Sequence, residues 1–153
     1  MEQQPILNEH NKQEYPPMHT CEHIVNRTMD HLYHCGRAVS AHIERKKSKL
    51  DYALPAALTD DQIRQLEETV NEVIDRHLDV TVEYMSIDKA AAGFDLTRLP
   101  GDVSDTVRVV RVGDYDECLC LGTHVSNTSE IGHFKVTTCS YENGIFRIRF
   151  KLI

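Results

Sequence analysis

The stretch "HFKVTTCSYENGIFRIRFKLI", residues 133–153, decides the fold class. "ENG" separates two strand-forming runs, and Asn-Gly between such runs is a strong short-range signal for an antiparallel hairpin. Upstream, "TVRVVRVGD" reads as another strand, and "DVTVEYMSI" alternates in the same way. "RAVSAHIE" and "KLDYAL" are expected to pair around the basic turn between them. Helices interrupt this pattern twice. Thr59 opens the clearer one, with "TDDQ" as a capping box and Ile63, Leu66, Val70, Val73 and Ile74 as its buried stripe, ending near His77.

The other helix is expected from about His19 to Cys35, stopped by Gly36 in a left-handed conformation. Ile24, Thr28 and Leu32 form one stripe beside Val25 and Met29, while His19, His23 and Asp30 point in similar directions. "SIDKAAAG" reads as a short helix closed by Gly93, and "FDLTRLPGDVS" as a loop. Residues 1–17, ended by Pro16-Pro17, lack an apolar period and read as a mobile arm; residues 18–153 form a single domain. The expected class is α+β, a mainly antiparallel sheet packed with two main helices.

The chain has 153 residues, 41% hydrophobic and 27% charged, as in an ordinary soluble globular domain. No apolar run approaches the ~20 residues of a membrane span, and the polar start has no signal-peptide core. Five cysteines without framework spacing point to a reducing cytoplasm. The net charge of −7 argues against a general nucleic-acid coat and against a DNA partner. Two stretches concentrate positive charge: Arg45, Lys46 and Lys47 with Lys49, and Arg147, Arg149 and Lys151. A solvated hairpin and edge strand would explain them as well as phosphate contacts would.

Two spacings carry chemistry. "HTCEH", residues 19–23, puts two histidines four apart on a helix, and read as His-x-x-Glu-His it is a zinc-peptidase string with Glu22 as base. With 9 histidines in the chain, such a pair arises easily by chance. A peptidase would also need a larger cleft and a distant carboxylate ligand. Further on, Cys120 and His124 flank "LGT", where Gly122 would let the backbone turn so that both reach one ion. His-x-x-x-His with Cys-x-x-x-His supplies four ligands for tetrahedral zinc, although His31, His34, Cys118 and His133 are also available. Cys118 competes most directly with Cys120, but the preferred reading of Cys118, Cys21 and Cys139 is as small buried hydrophobes.

"HTCEH" and "CLGTHVSNTSEIGHFKV", with "LTDDQIRQLEETVNEVIDRHLDV" and "VRVVRVGDYDECLCLGTHV" between them, resemble the motifs of the alanyl-tRNA synthetase editing domain and its freestanding AlaX-type trans-editing relatives. The likeness covers roughly residues 18–150; the threonyl-tRNA synthetase editing domain shares the ligand pattern. It implies that His19, His23, Cys120 and His124 hold zinc. It also implies hydrolysis of mischarged tRNA in the cytoplasm, with serine or glycine on alanine tRNA as the expected substrate. Ser40 falls where relatives place a pocket hydroxyl, though a plain strand residue would serve there too; Thr123 is the second candidate for that contact. Arg45, Lys46 and Lys47 are the candidate tRNA contacts. Leu121 departs from the family's paired glycine, which opens two alternatives: a different substrate, or a non-catalytic module that binds tRNA or a synthetase. The chain has no room for a synthetase catalytic domain, so tRNA selectivity would lie in this domain or a partner. Exposed strand edges would allow a homodimer, which nothing in the sequence specifies.

Overall fold

The computed structural model describes residues 15–91 and 106–153. The first helix, α1 (Pro16–Tyr33), is followed by strands β1 (Ser40–His42) and β2 (Ser48–Ala53) and helix α2 (Asp60–Asp75). Strand β3 (Val80–Ser86) runs into a five-residue helix, α3 (Ile87–Ala91). Strands β4 (Thr106–Val112), β5 (Asp116–Leu119), β6 (Phe134–Glu142) and β7 (Ile145–Leu152) complete the order, with a 3-10 turn at Thr128–Glu130.

The class is α+β, as the patterning implied, but the strands divide into two sheets rather than one. β1-β2-β7-β6 form the larger sheet and β3-β4-β5 the smaller, every pair antiparallel. The division turns on the β2–β7 pairing, which sets Leu50 opposite Ile148 and so joins segments almost a hundred residues apart. Local alternation carries no information about such a partner. The expected hairpin at Asn143-Gly144 is present, with both residues at positive φ (53° and 80°).

α1 starts earlier than expected. Pro16 and Pro17 occupy its first positions, where the missing N–H groups cost nothing. Its end also differs. His34 takes the left-handed C-cap position at φ 54°, with its N–H donating to the Asp30 carbonyl. Gly36 follows it, left-handed as expected at φ 75° but beyond the helix end. Asp30 itself turns to this end, accepting the Gly36 N–H at 2.9 Å, and so leaves the direction of His19 and His23. The strand expected over residues 37–44 shrinks to Ser40–His42. α2 carries the expected Thr59–Gln62 capping box and buries Leu66, Val70, Val73 and Ile74, but stops at Asp75, with Arg76 as C-cap. The end of the "SIDKAAAG" helix at Gly93, the loop over residues 94–104 and residues 1–14 lie outside the described residues.

The core lies between the two main helices and the larger sheet: Met18, Ile24, Val25 and Met29 of α1 meet Leu50, Tyr52, Phe146, Ile148 and Phe150 with the α2 stripe. At about 25 cal/mol per Å² of apolar area, such burial is the main stabilising term. Buried Asn26 locks α1 in place, its Oδ1 accepting from the Ala38 N–H (3.0 Å) and the Tyr52 hydroxyl (2.7 Å). Met85, Val107 and Val109 of the smaller sheet pack with Ala90 in a separate cluster. Among the described residues, no helix is long and apolar enough to cross a membrane.

Candidate metal centre

The opening turns of α1 lie against the segment that leaves β5, and there four side chains converge. His19, His23, Cys120 and His124 place one donor atom each within 4.8 Å of the others. The helix supplies two of them because residues four apart share a face. β5 delivers Cys120 as its ladder runs out, with the Cys120 N–H still donating to the Arg108 carbonyl at 3.1 Å. The backbone then folds back within four residues to present His124.

Gly122 assists this turn differently from the expectation. It is absent from the glycines at positive φ; its N–H points at Cys120 Sγ (3.5 Å), and its carbonyl accepts from the Arg108 guanidinium (2.5 Å). Arg108 also donates to the Cys120 carbonyl (3.3 Å), so one side chain grips the backbone on both sides of Leu121.

The outer shell fixes ring orientation. His19 Nδ1 donates to the Thr123 carbonyl at 3.0 Å; because that oxygen can only accept, Nδ1 carries the proton and Nε2 faces inward, 3.5 Å from Cys120 Sγ. His124 is held likewise, with Nδ1 2.9 Å from the Thr20 hydroxyl and Nε2 3.5 Å from the same sulfur. His23 Nδ1 lies 3.4 Å from Asp116 Oδ2, close enough for charge attraction but without a formed hydrogen bond. The His19 and His124 rings stack with centroids 4.2 Å apart, and His23 meets His124 edge-on at 4.5 Å.

A tetrahedral zinc with ordinary Zn–S and Zn–N bonds sets sulfur and nitrogen about 3.5 Å apart. The two measured Sγ–Nε2 distances match this, so the donor set could hold a metal ion of that kind. Burial works against the Cys120 thiolate, yet the imidazoles of His124, His19 and His23 outweigh it and hold its pKa down to about 3. Burial instead pushes the neighbouring Cys118 thiol up to about 11. The contrast separates the two sulfurs: Cys120 is prepared as a thiolate and Cys118 is not. For His23, burial would lower the pKa, but Asp116 and the Cys120 sulfur overcome it and raise it to about 9.

Asp116 has no counterpart in the sequence reading. It is 3% exposed and binds two guanidinium groups, Arg27 through Nε (3.0 Å) and Arg37 through two nitrogens (3.1 and 3.2 Å). Burial disfavours its charge, but His23 and Arg37 more than compensate and hold its pKa well below the usual carboxylate range. Its signal was weak because "DYDE" resembles any turn entering a strand.

The other candidates lie elsewhere. His31 meets Tyr115 edge-on at 5.7 Å, His34 caps α1, and His133 pairs with Asp75 at 2.8 Å. Cys21 is buried in the core and Cys139 packs against it. Glu22 reaches within 3.7 Å of His19 Nε2. Cys120 and His124, instead of a helix-borne carboxylate, complete the cluster. A cleft of about 540 Å³ is lined by Tyr84, Thr106, Arg108, Leu121 and Thr123, the last two being chain neighbours of Cys120 and His124. Thr123 therefore belongs to the cleft, whereas Ser40 sits exposed on β1 opposite Asp51 and does not line it. Arg45, Lys46 and Lys47 are exposed in the β1–β2 turn, and the Arg45 guanidinium lies 4.9 Å over the Tyr15 ring, one turn before His19.

Residues 107–149 match a sequence-family profile described as the threonyl and alanyl tRNA synthetase second additional domain. Similar proteins include the alanine–tRNA ligase of Fervidobacterium nodosum, 38% identical over 122 residues, which are 78% of this chain and 14% of the ligase. The alanine–tRNA ligase of Halalkalibacterium halodurans is 33% identical over 147 residues, 93% of this chain and 16% of the ligase. That of Pseudoalteromonas translucida is 34% identical over 129 residues, 83% and 14%. The chain thus spans about a seventh of the length of the relatives it matches.

Proposed function

Because the chain is an alanyl-tRNA synthetase editing-domain-like protein, we propose that it is a zinc-dependent hydrolase that removes serine or glycine from mischarged alanine tRNA in trans. The observation that supports this most directly is the inward convergence of three imidazoles on a sulfur held as thiolate, beside a cleft open to solvent. His19, His23, Cys120 and His124 would hold the zinc, which when bound supplies Lewis acidity and locks α1 to the segment after β5. Its place in a reducing cytoplasm accords with five free cysteines.

The protein's own residues then position the ester. The bond between an amino acid and the terminal ribose is already activated, so orientation matters more than strong acid–base work. An apolar pocket rejects an added hydroxyl only about a hundredfold. A site that hydrogen-bonds the hydroxyl discriminates better, since alanine would leave its polar groups unpaired. We assign that contact to Thr123 rather than Ser40, because Thr123 lines the cleft and its own carbonyl orients His19. The Arg45–Lys47 turn would meet RNA phosphates, a contact that weakens with salt.

The test is deacylation of alanine tRNA charged with serine, glycine or alanine, with and without chelator. The expected result is chelator-sensitive release of serine or glycine and slower release of alanine. No release from a fully zinc-loaded protein would overturn the hydrolase reading and favour a module that binds tRNA without cleaving it.

A further inference from the structure

Two large apolar side chains stand in solvent beside the cluster. Tyr84 is 69% exposed and Leu121 64% exposed, and both line the cleft of about 540 Å³. Neither is needed for the core, and an exposed aromatic–aliphatic pair in a concave site calls for an occupant. Their relative placement is fixed by one residue. Arg108 is the direct cross-strand neighbour of Tyr84 in the β3–β4 ladder, so the two side chains share a sheet face. Its guanidinium is tied to the carbonyls of Cys120 and Gly122, the residues flanking Leu121. Arg108 therefore links Tyr84 to the backbone around Leu121 and puts a positive charge in the lining of the cleft.

We propose that Tyr84 and Leu121 are the two walls of a clamp for the terminal nucleobase of an RNA 3′ end. The inference rests on the reading of the site as one for acylated RNA. A flat π-system fits between an aromatic face and an aliphatic side chain, and such stacking is how proteins hold unpaired bases. The charge in the lining suits a phosphodiester chain, and Thr106 and Thr123 add polar residues to it. A base seated there would leave its ribose ester beside Thr123, whose carbonyl fixes His19 and whose neighbour is His124. In this view Leu121 is a gain in grip on the base, in place of the glycine usual in the resembling motif.

The chain contains no tryptophan, so Tyr84→Trp places the sole indole, excited selectively apart from the tyrosines, in the proposed wall. The probe is a stem-loop RNA with an unpaired 3′-terminal adenosine, compared with the same RNA ending in an abasic residue. We expect its emission to be quenched by the first RNA, and at least tenfold weaker binding by the second. Equal response to both, or to neither, overturns the clamp. In the deacylation assay, Tyr84→Ala should raise KM about tenfold, the loss typical of one stacked base, with kcat within twofold. Tyr84→Phe should retain the parent KM, and an unchanged KM for Tyr84→Ala overturns the proposal. The two readings fail separately. Base-dependent quenching without hydrolysis would keep the clamp and discard the hydrolase, while hydrolysis with no base dependence would do the reverse.

Discussion

Asp116 shows how much a single buried carboxylate can control. Its charge survives burial only because Arg27, Arg37 and His23 surround it, and through His23 it reaches the candidate metal centre. Carboxylates that orient a ligand imidazole typically change metal affinity by 10–100-fold when lost. We predict that Asp116→Asn weakens zinc affinity by roughly that factor, measured by competition with a chromophoric chelator. Unaltered affinity would reduce Asp116 to a bracket between Arg27 and Arg37. The four clustered residues were legible in the sequence as two spacings, because a helix face and a short turn are local geometry. Asp116, Thr20 and Arg108 were not, because each acts on a partner that folding alone brings near: Thr20 and His124 stand 104 positions apart. Gly36 is left-handed as its type suggests, but it does not mark the helix end. Glycine is the usual left-handed stop, but His34 already satisfies the Asp30 carbonyl there.

The edges of the larger sheet need attention at the level of elements. β6 is an outer strand, and α2 covers its free backbone: Asn71 accepts the Phe134 N–H (2.7 Å) and donates to the Phe134 carbonyl (3.1 Å), while Glu67 accepts the Val136 N–H (2.7 Å). These contacts occupy groups that would otherwise invite another strand. Asn71→Ala strands a half-buried pair, and we predict a loss of about 1–3 kcal/mol, read from the urea midpoint at constant m. A midpoint shift below about 0.3 kcal/mol would mean that water replaces the amide. Between β2 and β7, Arg147 donates to Asp51 through Nε (2.8 Å) and a terminal nitrogen (2.9 Å). The hydrogen bonds from Arg147 lower the Asp51 pKa against the opposing effect of burial. A depressed carboxylate stabilises above its unfolded pKa and loses that contribution as pH falls through the folded value. Asp51→Asn should therefore cost about 1 kcal/mol near neutrality, Arg147 being partly exposed. The difference from the parent protein should fade below about pH 4. Stability curves that stay parallel down to pH 2 would contradict this.

For the whole molecule, the candidate centre acts as a cross-link between α1 and the β5 exit. If zinc at a hundredfold excess over its dissociation constant binds only the folded state, it adds about 2.7 kcal/mol. For a domain of this size that corresponds to roughly 5–10 °C in Tm. We predict a drop of that order on chelation, reversed by added zinc, with far-UV circular dichroism retained because buried apolar residues of both main helices and the larger sheet hold the fold. Complete unfolding on chelation would instead make the metal the main support of the fold. The α+β class was readable from a capped amphipathic helix and an Asn-Gly hairpin, both short-range signals. The partition into two sheets depends on pairings that no local pattern encodes.

Cys120 stands 101 positions from its partner His19, so the four-donor set exists only in the folded chain. His19 and His23 share a face of one helix, whereas the Cys120 sulfur meets them only through the docking of that helix on the exit of β5. An ion that needed all four donors would therefore report a finished fold and not an isolated helix.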